Sequence, residues 1–173
     1  MLMLQTERLI LRQPTKADVQ RLFDIYGDPQ TNLYNPAGPY PDIQKAHATL
    51  QEWLEHWHEY AFGTLVITQI VKPEYVIGFG SASYYSYGNE QKLNLGYRFD
   101  TAFWGQGFAT ESGRAVLDHI FNDLNLPEVY GLVRPDNKPS IHVLEKLGMI
   151  LVDTLDDVPG KPESLVYRKR KNE

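Results

Sequence analysis

The stretch that decides the fold runs from Leu93 to Glu111 and reads LNLGYRFDTAFWGQGFATE. Its first part, Leu93–Phe99, is rich in apolar and aromatic residues and predicts a strand. Gly105 and Gly107, one residue apart, then allow a sharp turn and a close approach of the backbone to a ligand. The helix predicted to follow offers unpaired N–H groups and the positive end of its dipole at the same point. Together these parts predict a cradle for a phosphate or pyrophosphate group.

Two well-known phosphate-binding loops do not fit this stretch. A P-loop carries Lys and then Ser or Thr directly after its last glycine, where this chain has Phe108 and Ala109. The dinucleotide fingerprint needs a third Gly or Ala three residues after the second glycine, and that position is Thr110. The sequence therefore argues against a generic nucleotide-binding module.

Strand-like and helix-like segments alternate outward from this stretch. Strands are predicted at Thr6–Arg12, Thr64–Val71, Tyr75–Tyr85, Leu93–Phe99, Val129–Val133, Met149–Thr154 and Leu165–Lys169. Helices are predicted after the caps Thr15, Asp42 and Asn137, and from Trp104 onward. Turn signals at Lys72-Pro73-Glu74 and Gly88-Asn89-Glu90 make the three middle strands an antiparallel meander. Only the unit around the third helix needs parallel pairing, so a mixed α/β sheet is predicted.

Composition limits the class of protein. A chain of 173 residues fits one domain, residues 1–173, and buries enough surface to need no disulfide or metal. It has no cysteine, and its net charge of −5 argues against non-specific nucleic-acid binding. No apolar run suits a signal peptide or a bilayer span, so we expect a cytoplasmic protein without membrane partners.

Three segments resemble a known family. Leu95–Glu111 resembles the acetyl-CoA motif of GNAT acyltransferases, in the form found in the branch of the ribosomal-protein alanine and serine N-acetyltransferases. The opening Thr6–Arg12 and the pattern Asn137-x-x-Ser140-x-x-Val143-x-x-Lys146-x-Gly148-Met149 resemble the same branch. The similarity therefore extends over nearly the whole chain in the right order.

The resemblance implies a GNAT fold, a mixed and mostly antiparallel sheet splayed between its fourth and fifth strands and flanked by about four helices. Acetyl-CoA, used as a co-substrate, would lie in the resulting V. The residues implied to hold it through their backbone are Tyr97, Arg98 and Phe99 at the pantetheine arm and Gly105, Gln106, Gly107, Phe108, Ala109 and Thr110 at the pyrophosphate. The side chain of Asn137 would reach the pantetheine or the thioester, although Asn is also a preferred helix cap.

The resemblance also implies direct attack of a neutral amine on the thioester. A backbone N–H near Tyr97 would stabilise the oxyanion. Many relatives place a general-acid Tyr where this chain has Leu144, so Ser140, one helical turn after Asn137, is the substitute donor. Ser140 also suits a capping role in the first helical turn, and the sequence leaves both roles open.

No general base is predicted. Asn94 stands where many relatives carry an acidic residue, and Glu111 is explained by the helix dipole. Tyr84, Tyr85 and Tyr87 fit half-buried strand aromatics as well as cleft residues. The five histidines lack metal-ligand spacing, so no metal is predicted.

Several functions remain open at this level. The leading hypothesis is an amine N-acetyltransferase, with a protein N-terminus as one acceptor. Acetylation of a small amine (a polyamine, amino acid or antibiotic) is the second, and an acyl-CoA-binding sensor without catalysis is the third. The oligomeric state is expected to be a monomer or a homodimer.

Overall fold

The computed structural model describes residues 1–173 and contains one eight-stranded sheet. Its strands are β1 (Met3–Gln5), β2 (Leu9–Arg12), β3 (Thr64–Gln69), β4 (Lys72–Tyr87), β5 (Glu90–Phe99), β6 (Glu128–Val133), β7 (Ile150–Leu155) and β8 (Ser164–Arg170), in the order β1-β2-β3-β4-β5-β6-β8-β7. Its α-helices are α1 (Val19–Tyr26), α2 (Ile43–Tyr60), α3 (Phe108–Asp118) and α4 (Lys138–Lys146). A π-helical turn, His119–Asp123, extends α3.

The helices lie on both faces of the sheet. Strand β3 shows this best, because Leu65 and Ile67 join the core beneath α3 and α4 while Val66 joins the smaller core beneath α1 and α2. A strand buried on both faces carries a continuous apolar run, as Leu65–Ile67 does. None of the helices combines the length and apolar character needed to cross a bilayer.

One pair of strands opens the sheet. Every neighbouring pair is antiparallel except β5 and β6, which run parallel and are joined in register only at Asn94 and Tyr130. Beyond that point the two strands diverge, so the edge of β5 from Leu95 to Phe99 that faces β6 pairs with no strand. The predicted mixed, mostly antiparallel α/β sheet with four helices and a splayed parallel pair is confirmed.

Three predicted boundaries were wrong for local reasons. Thr6–Arg12 is not one strand, because the Thr6 N–H donates to the Leu9 carbonyl at 2.9 Å and turns the chain between β1 and β2. The splayed pair is therefore fifth and sixth in chain order rather than fourth and fifth. The turn expected at Lys72-Pro73-Glu74 lies earlier, at Ile70–Val71, and Pro73 is tolerated because it stands near the start of β4.

The third helix begins later than predicted. Trp104 lies outside α3, and its indole Nε1 donates to the Phe99 carbonyl at 3.0 Å. Gly107 has a φ of +81°, a left-handed conformation that interrupts helical geometry just before Phe108. The result is an extended glycine loop, Trp104–Gly107, between β5 and α3.

Candidate active site

The divergence of β5 and β6 forms a cleft of about 540 Å³. Its floor is built from both strands, and its walls come from a loop before α2, from α4 and from the loop between β7 and β8. The lining residues used below are Tyr85, Asn94, Tyr97, Arg98, Arg134, Asn137, Ser140, Leu144 and Asp157. This cleft brings together the sequence-predicted residues Tyr97, Arg98, Asn137 and Ser140.

Tyr97 and Ser140 meet at the cleft. The Tyr97 hydroxyl lies 2.8 Å from Oγ of Ser140, near the start of α4. Burial raises the pKa of Tyr97, and this outweighs the lowering effect of its hydrogen bond to Ser140. The phenol is therefore protonated at neutral pH, so the two hydroxyls hold protons that can be donated. The sequence analysis selected Tyr97 for its backbone and missed this side-chain contact.

Asn137 caps helix α4. Its Oδ1 accepts a hydrogen bond from the Ser140 N–H at 3.3 Å, which fixes the side-chain amide and the first helical turn together. Its Nδ2 donates no hydrogen bond within the protein, and the residue lines the cleft. The capping role is therefore present, and an amide donor remains free for a ligand. Leu144, at the position of the family's tyrosine, is buried.

The glycine loop offers a row of unused donors. No hydrogen bond within the protein uses the backbone N–H groups from Gly105 to Thr110, and the first helical bond runs from the Glu111 N–H to the Gly107 carbonyl at 3.0 Å. Gly105 has a φ of +74°, and a Cβ built there would meet nothing within 4 Å. The backbone is thus bare and open to solvent, which fits a pyrophosphate at a helix N-terminus.

The side chains of the remaining predicted cofactor residues differ in how far they are engaged within the protein. Arg98 donates to Oδ1 of Asn32 at 2.8 Å and stacks on the ring of Tyr26, so its guanidinium is already engaged. Phe99 and Phe108 are buried in the core, whereas Gln106 is exposed. These contacts leave the open edge of β5 and the loop amides as the groups available to a ligand.

Glu111, in the first turn of α3, holds the start of this helix to the turn between β1 and β2. Its carboxylate accepts from Nε of Arg8 at 2.6 Å, from the Arg8 N–H at 3.0 Å and from Oγ of Thr6 at 2.5 Å. Burial alone would raise the pKa of Glu111, but these hydrogen bonds lower it overall. The same Arg8 lies 4.3 Å from the centre of the Phe108 ring. Glu111 is thus ionised, and its carboxylate accepts hydrogen bonds from Thr6 and Arg8. These contacts explain an acidic residue at this position better than the helix dipole alone.

The three strand tyrosines divide between packing and the cleft. Tyr84 packs against His56 and Tyr60, away from the cleft lining. Tyr85 lines the cleft and is 53% exposed. Tyr87 donates to Oδ1 of Asn94, and burial raises the pKa of Tyr87 well above its ordinary value. Asn94 is therefore held with its amide oriented by Tyr87.

Asp157 is the one acidic side chain lining the cleft. It lies in the loop between β7 and β8, and its Oδ1 accepts a hydrogen bond from Oγ of Ser164 at 2.6 Å. Sequence reasoning missed this residue because nothing in the pattern of that loop indicates which strand pair it folds against.

Comparison with known proteins identifies relatives of the chain. A family model described as an acetyltransferase (GNAT) domain matches residues 8–150. The uncharacterized protein YkkB of Bacillus subtilis is 30% identical, over 98% of this chain and 96% of that protein. The uncharacterized N-acetyltransferase p20 of Bacillus licheniformis is 30% identical, over 83% of this chain and 80% of that protein. A solved acetyltransferase from Agrobacterium tumefaciens is 31% identical, with a TM-score of 0.81 over 98% of this chain and 94% of that one.

Proposed function

This chain belongs to the GNAT acetyltransferase family and is an acetyl-CoA-dependent N-acetyltransferase; we propose that its acceptor is a primary amine, and specifically the α-amino group of a peptide or protein. The observation that carries the proposal is the arrangement of the cleft. The hydroxyl pair Tyr97–Ser140 lies at the open edge of β5, and a bare row of amides, Gly105–Thr110, follows the end of the same strand along the chain. That path matches a long phosphorylated thioester that ends beside a proton donor.

The residues that would hold acetyl-CoA follow from this path. The N–H groups of Gly105–Thr110 would bind the pyrophosphate, since they have no acceptor within the protein. The open edge of β5 at Tyr97–Phe99 would pair with the amides of the pantetheine arm, and Nδ2 of Asn137 would donate to the same arm. When bound, acetyl-CoA supplies the thioester that the amine attacks.

Four groups of the chain would then serve the reaction. A backbone N–H near Tyr97 would stabilise the developing oxyanion. Ser140 would donate to the sulfur as the carbon–sulfur bond breaks, and the Tyr97 hydroxyl at 2.8 Å would orient Ser140 and supply the next proton. Asn137 would hold Ser140 in place, because it caps the helical turn that carries Ser140.

The preference for an α-amine rests on acidity. An α-amine with a pKa near ~7.8 loses its proton at pH 7 for ~1 kcal/mol, whereas a lysine amine near ~10.4 needs about 4–5 kcal/mol. The cleft carries Arg98 and Arg134 but only one carboxylate, Asp157. That balance of charge supports an acceptor with a single amine over a polyamine. The resemblance to the ribosomal-protein branch supports an N-terminal acceptor as well.

A thiol-release assay with acetyl-CoA tests the proposal. The acceptor panel contains peptides with free N-termini, single amino acids and polyamines at equal concentration. We expect the highest kcat/KM for the peptides. Faster acetylation of amino acids would favour the small-molecule alternative, and binding of acetyl-CoA without acetylation of any amine would contradict the proposal.

A further inference from the structure

The position of Asp157 in the cleft suits the binding of a ligand. Its side chain is 29% exposed, and it shares the cleft with Asn94, Tyr97 and Ser140. No other carboxylate lines that space. Arg134 forms an ion pair with Asp157 on its Oδ1 side, and a carboxylate among aromatic and aliphatic walls still attracts a cationic ligand at its other oxygen.

A short relay fixes the orientation of this carboxylate. Nη1 of Arg134 donates to Oγ of Ser164 at 2.9 Å, and the Ser164 hydroxyl donates to Oδ1 of Asp157 at 2.6 Å. Ser164 is 1% exposed, so the relay is anchored in the core. The Arg134 nitrogen stands 3.9 Å from Oδ1, too far for a direct hydrogen bond. Oδ1 is therefore occupied by Ser164, while Oδ2 accepts no hydrogen bond within the protein.

Arg134 is the cationic neighbour of Asp157, and no side chain of the protein donates a hydrogen bond to Oδ2. The other ionisable side chains lining the cleft are Tyr34, Tyr85, Tyr97, Arg98 and Arg134. Arg98 is engaged with Asn32 and Tyr26, and Arg134 is engaged with Ser164. Tyr87, whose pKa is raised chiefly by burial and in small part by the charge of Asp157, donates to Asn94 instead. The free oxygen of Asp157 thus remains available to a ligand.

We propose that Asp157 binds the protonated amine of the acceptor through Oδ2 and accepts its proton before attack. This inference rests on the proposed function and adds the catalytic base that the sequence did not reveal.

The proton balance of the step is complete. The ammonium gives one proton to the Asp157 carboxylate, and the neutral nitrogen forms a bond to the thioester carbonyl carbon. The carbon–sulfur bond then breaks, and the sulfur takes a proton from Ser140. The amide nitrogen gives its second proton to Ser140, and Asp157 releases its own proton to solvent, so an ammonium and a thioester yield an acetamide, a thiol and one released proton.

Asp157→Asn is the test, because the amide oxygen still accepts from Ser164 while the charge and basicity are lost. We expect kcat/KM for the preferred amine to fall about 100-fold or more at pH 7. The pH profile also changes: the wild type stays level below the acceptor pKa, whereas Asp157→Asn gains about tenfold per pH unit as free amine appears. Affinity for acetyl-CoA, measured by calorimetry, stays unchanged.

Two further variants make the result specific. Asp156→Asn removes the neighbouring carboxylate, which does not line the cleft, and should retain wild-type kcat/KM. Asp157→Glu keeps the charge and should recover part of the lost activity. An Asp157→Asn enzyme with the wild-type rate and pH profile would overturn this inference alone, whereas a wild type that acetylates no amine would overturn the proposed function beneath it.

Discussion

The hydroxyl of Tyr97 lies 2.8 Å from Oγ of Ser140, linking strand β5 to helix α4 at the cleft where the sheet opens. The two residues are 43 positions apart in the chain. Ser140 is further held by Asn137, whose Oδ1 accepts its backbone N–H. A serine held through both its hydroxyl and its backbone N–H is positioned before any ligand arrives, and such preorganisation favours stabilisation of a transition state.

Ser140→Ala should reduce turnover far more than it weakens acetyl-CoA binding. Loss of one preorganised donor commonly costs about 100-fold in kcat, because its interaction is strongest as the leaving group departs. Steady-state kinetics and calorimetric titration with acetyl-CoA measure the two effects separately. A variant with normal kcat would leave Ser140 with only a structural role.

Tyr97→Phe removes the hydroxyl and keeps the ring. We expect a smaller loss of kcat, about 5- to 10-fold, corresponding to one hydrogen bond of about 1 kcal/mol that orients Ser140. Because the two hydroxyls act as a unit, the double variant should be no slower than Ser140→Ala alone. Fully additive losses would show that Tyr97 and Ser140 act independently.

Gly107→Val should abolish acetyl-CoA binding in a protein that still folds. A β-branched side chain at a φ of +81° is strained and would displace the loop amides that have no acceptor within the protein. Acetyl-CoA at about 100 times its dissociation constant should add about 2.7 kcal/mol of stability to the wild type and none to the variant.

Gly88→Val provides the matched control for this prediction. Gly88 has a φ of +64° in the β4–β5 turn, so it carries a similar backbone cost away from the glycine loop. The rise in melting temperature that acetyl-CoA causes in Gly88→Val should equal the rise in the wild type. ATP and NAD should raise the melting temperature of both proteins much less. Normal acetyl-CoA affinity in Gly107→Val would place the pyrophosphate elsewhere.

Glu111→Gln should lower stability at neutral pH. The pKa of Glu111 is lower in the folded protein than its ordinary value of 4.5, so its carboxylate stabilises the fold above that pH. This contribution is lost as the pH falls through the lowered pKa, and wild type and variant should then converge. Since Arg8 is 42% exposed, the difference at pH 7 is about 1 kcal/mol.

Urea unfolding at pH 7 and at acid pH measures this difference. Glu7→Gln is the control, because Glu7 lies in the same turn and its side chain makes no hydrogen bond or ion pair. A difference between Glu111→Gln and wild type that is constant with pH would contradict an electrostatic origin.

The candidate residues that could be predicted from the sequence are those whose placement depends on local spacing. Gly105 and Gly107 sit directly between a strand and a helix, and Asn137 and Ser140 are one turn apart, so spacing along the chain suffices. The fold class followed in the same way from alternating segments. The division of Thr6–Arg12 did not, because that turn is stabilised by Glu111, which is distant in sequence.

The contacts that sequence reasoning missed join distant elements. Tyr97 and Ser140 meet only because β5 and β6 diverge, and Asp157 enters the cleft because β8 pairs with β6. Periodicity gives the face on which a strand residue lies but not the partner across a gap in the sheet. The Tyr87–Asn94 contact was missed as well, because in the β4–β5 register Asn94 pairs with Ser83 and Tyr87 pairs with Glu90.

The last prediction concerns the acceptor, for which an α-amino group should be preferred over a lysine side chain. Two matched peptides test it, one with a free N-terminus and no lysine, the other with a blocked N-terminus and one internal lysine. We expect at least about tenfold higher kcat/KM for the free N-terminus at pH 7, because the lysine amine holds its proton more tightly by about 3.5 kcal/mol.

The role inferred for Asp157 does not remove this preference, because the same carboxylate would receive the proton from either amine. The difference in pKa between the two acceptors therefore persists in the enzyme unless the cleft binds lysine much more tightly. Raising the pH to ~11 or above should narrow the gap, since both amines are then largely neutral. Mass spectrometry of the two products locates the acetyl group, and faster acetylation of the blocked lysine peptide at pH 7 would contradict the preference.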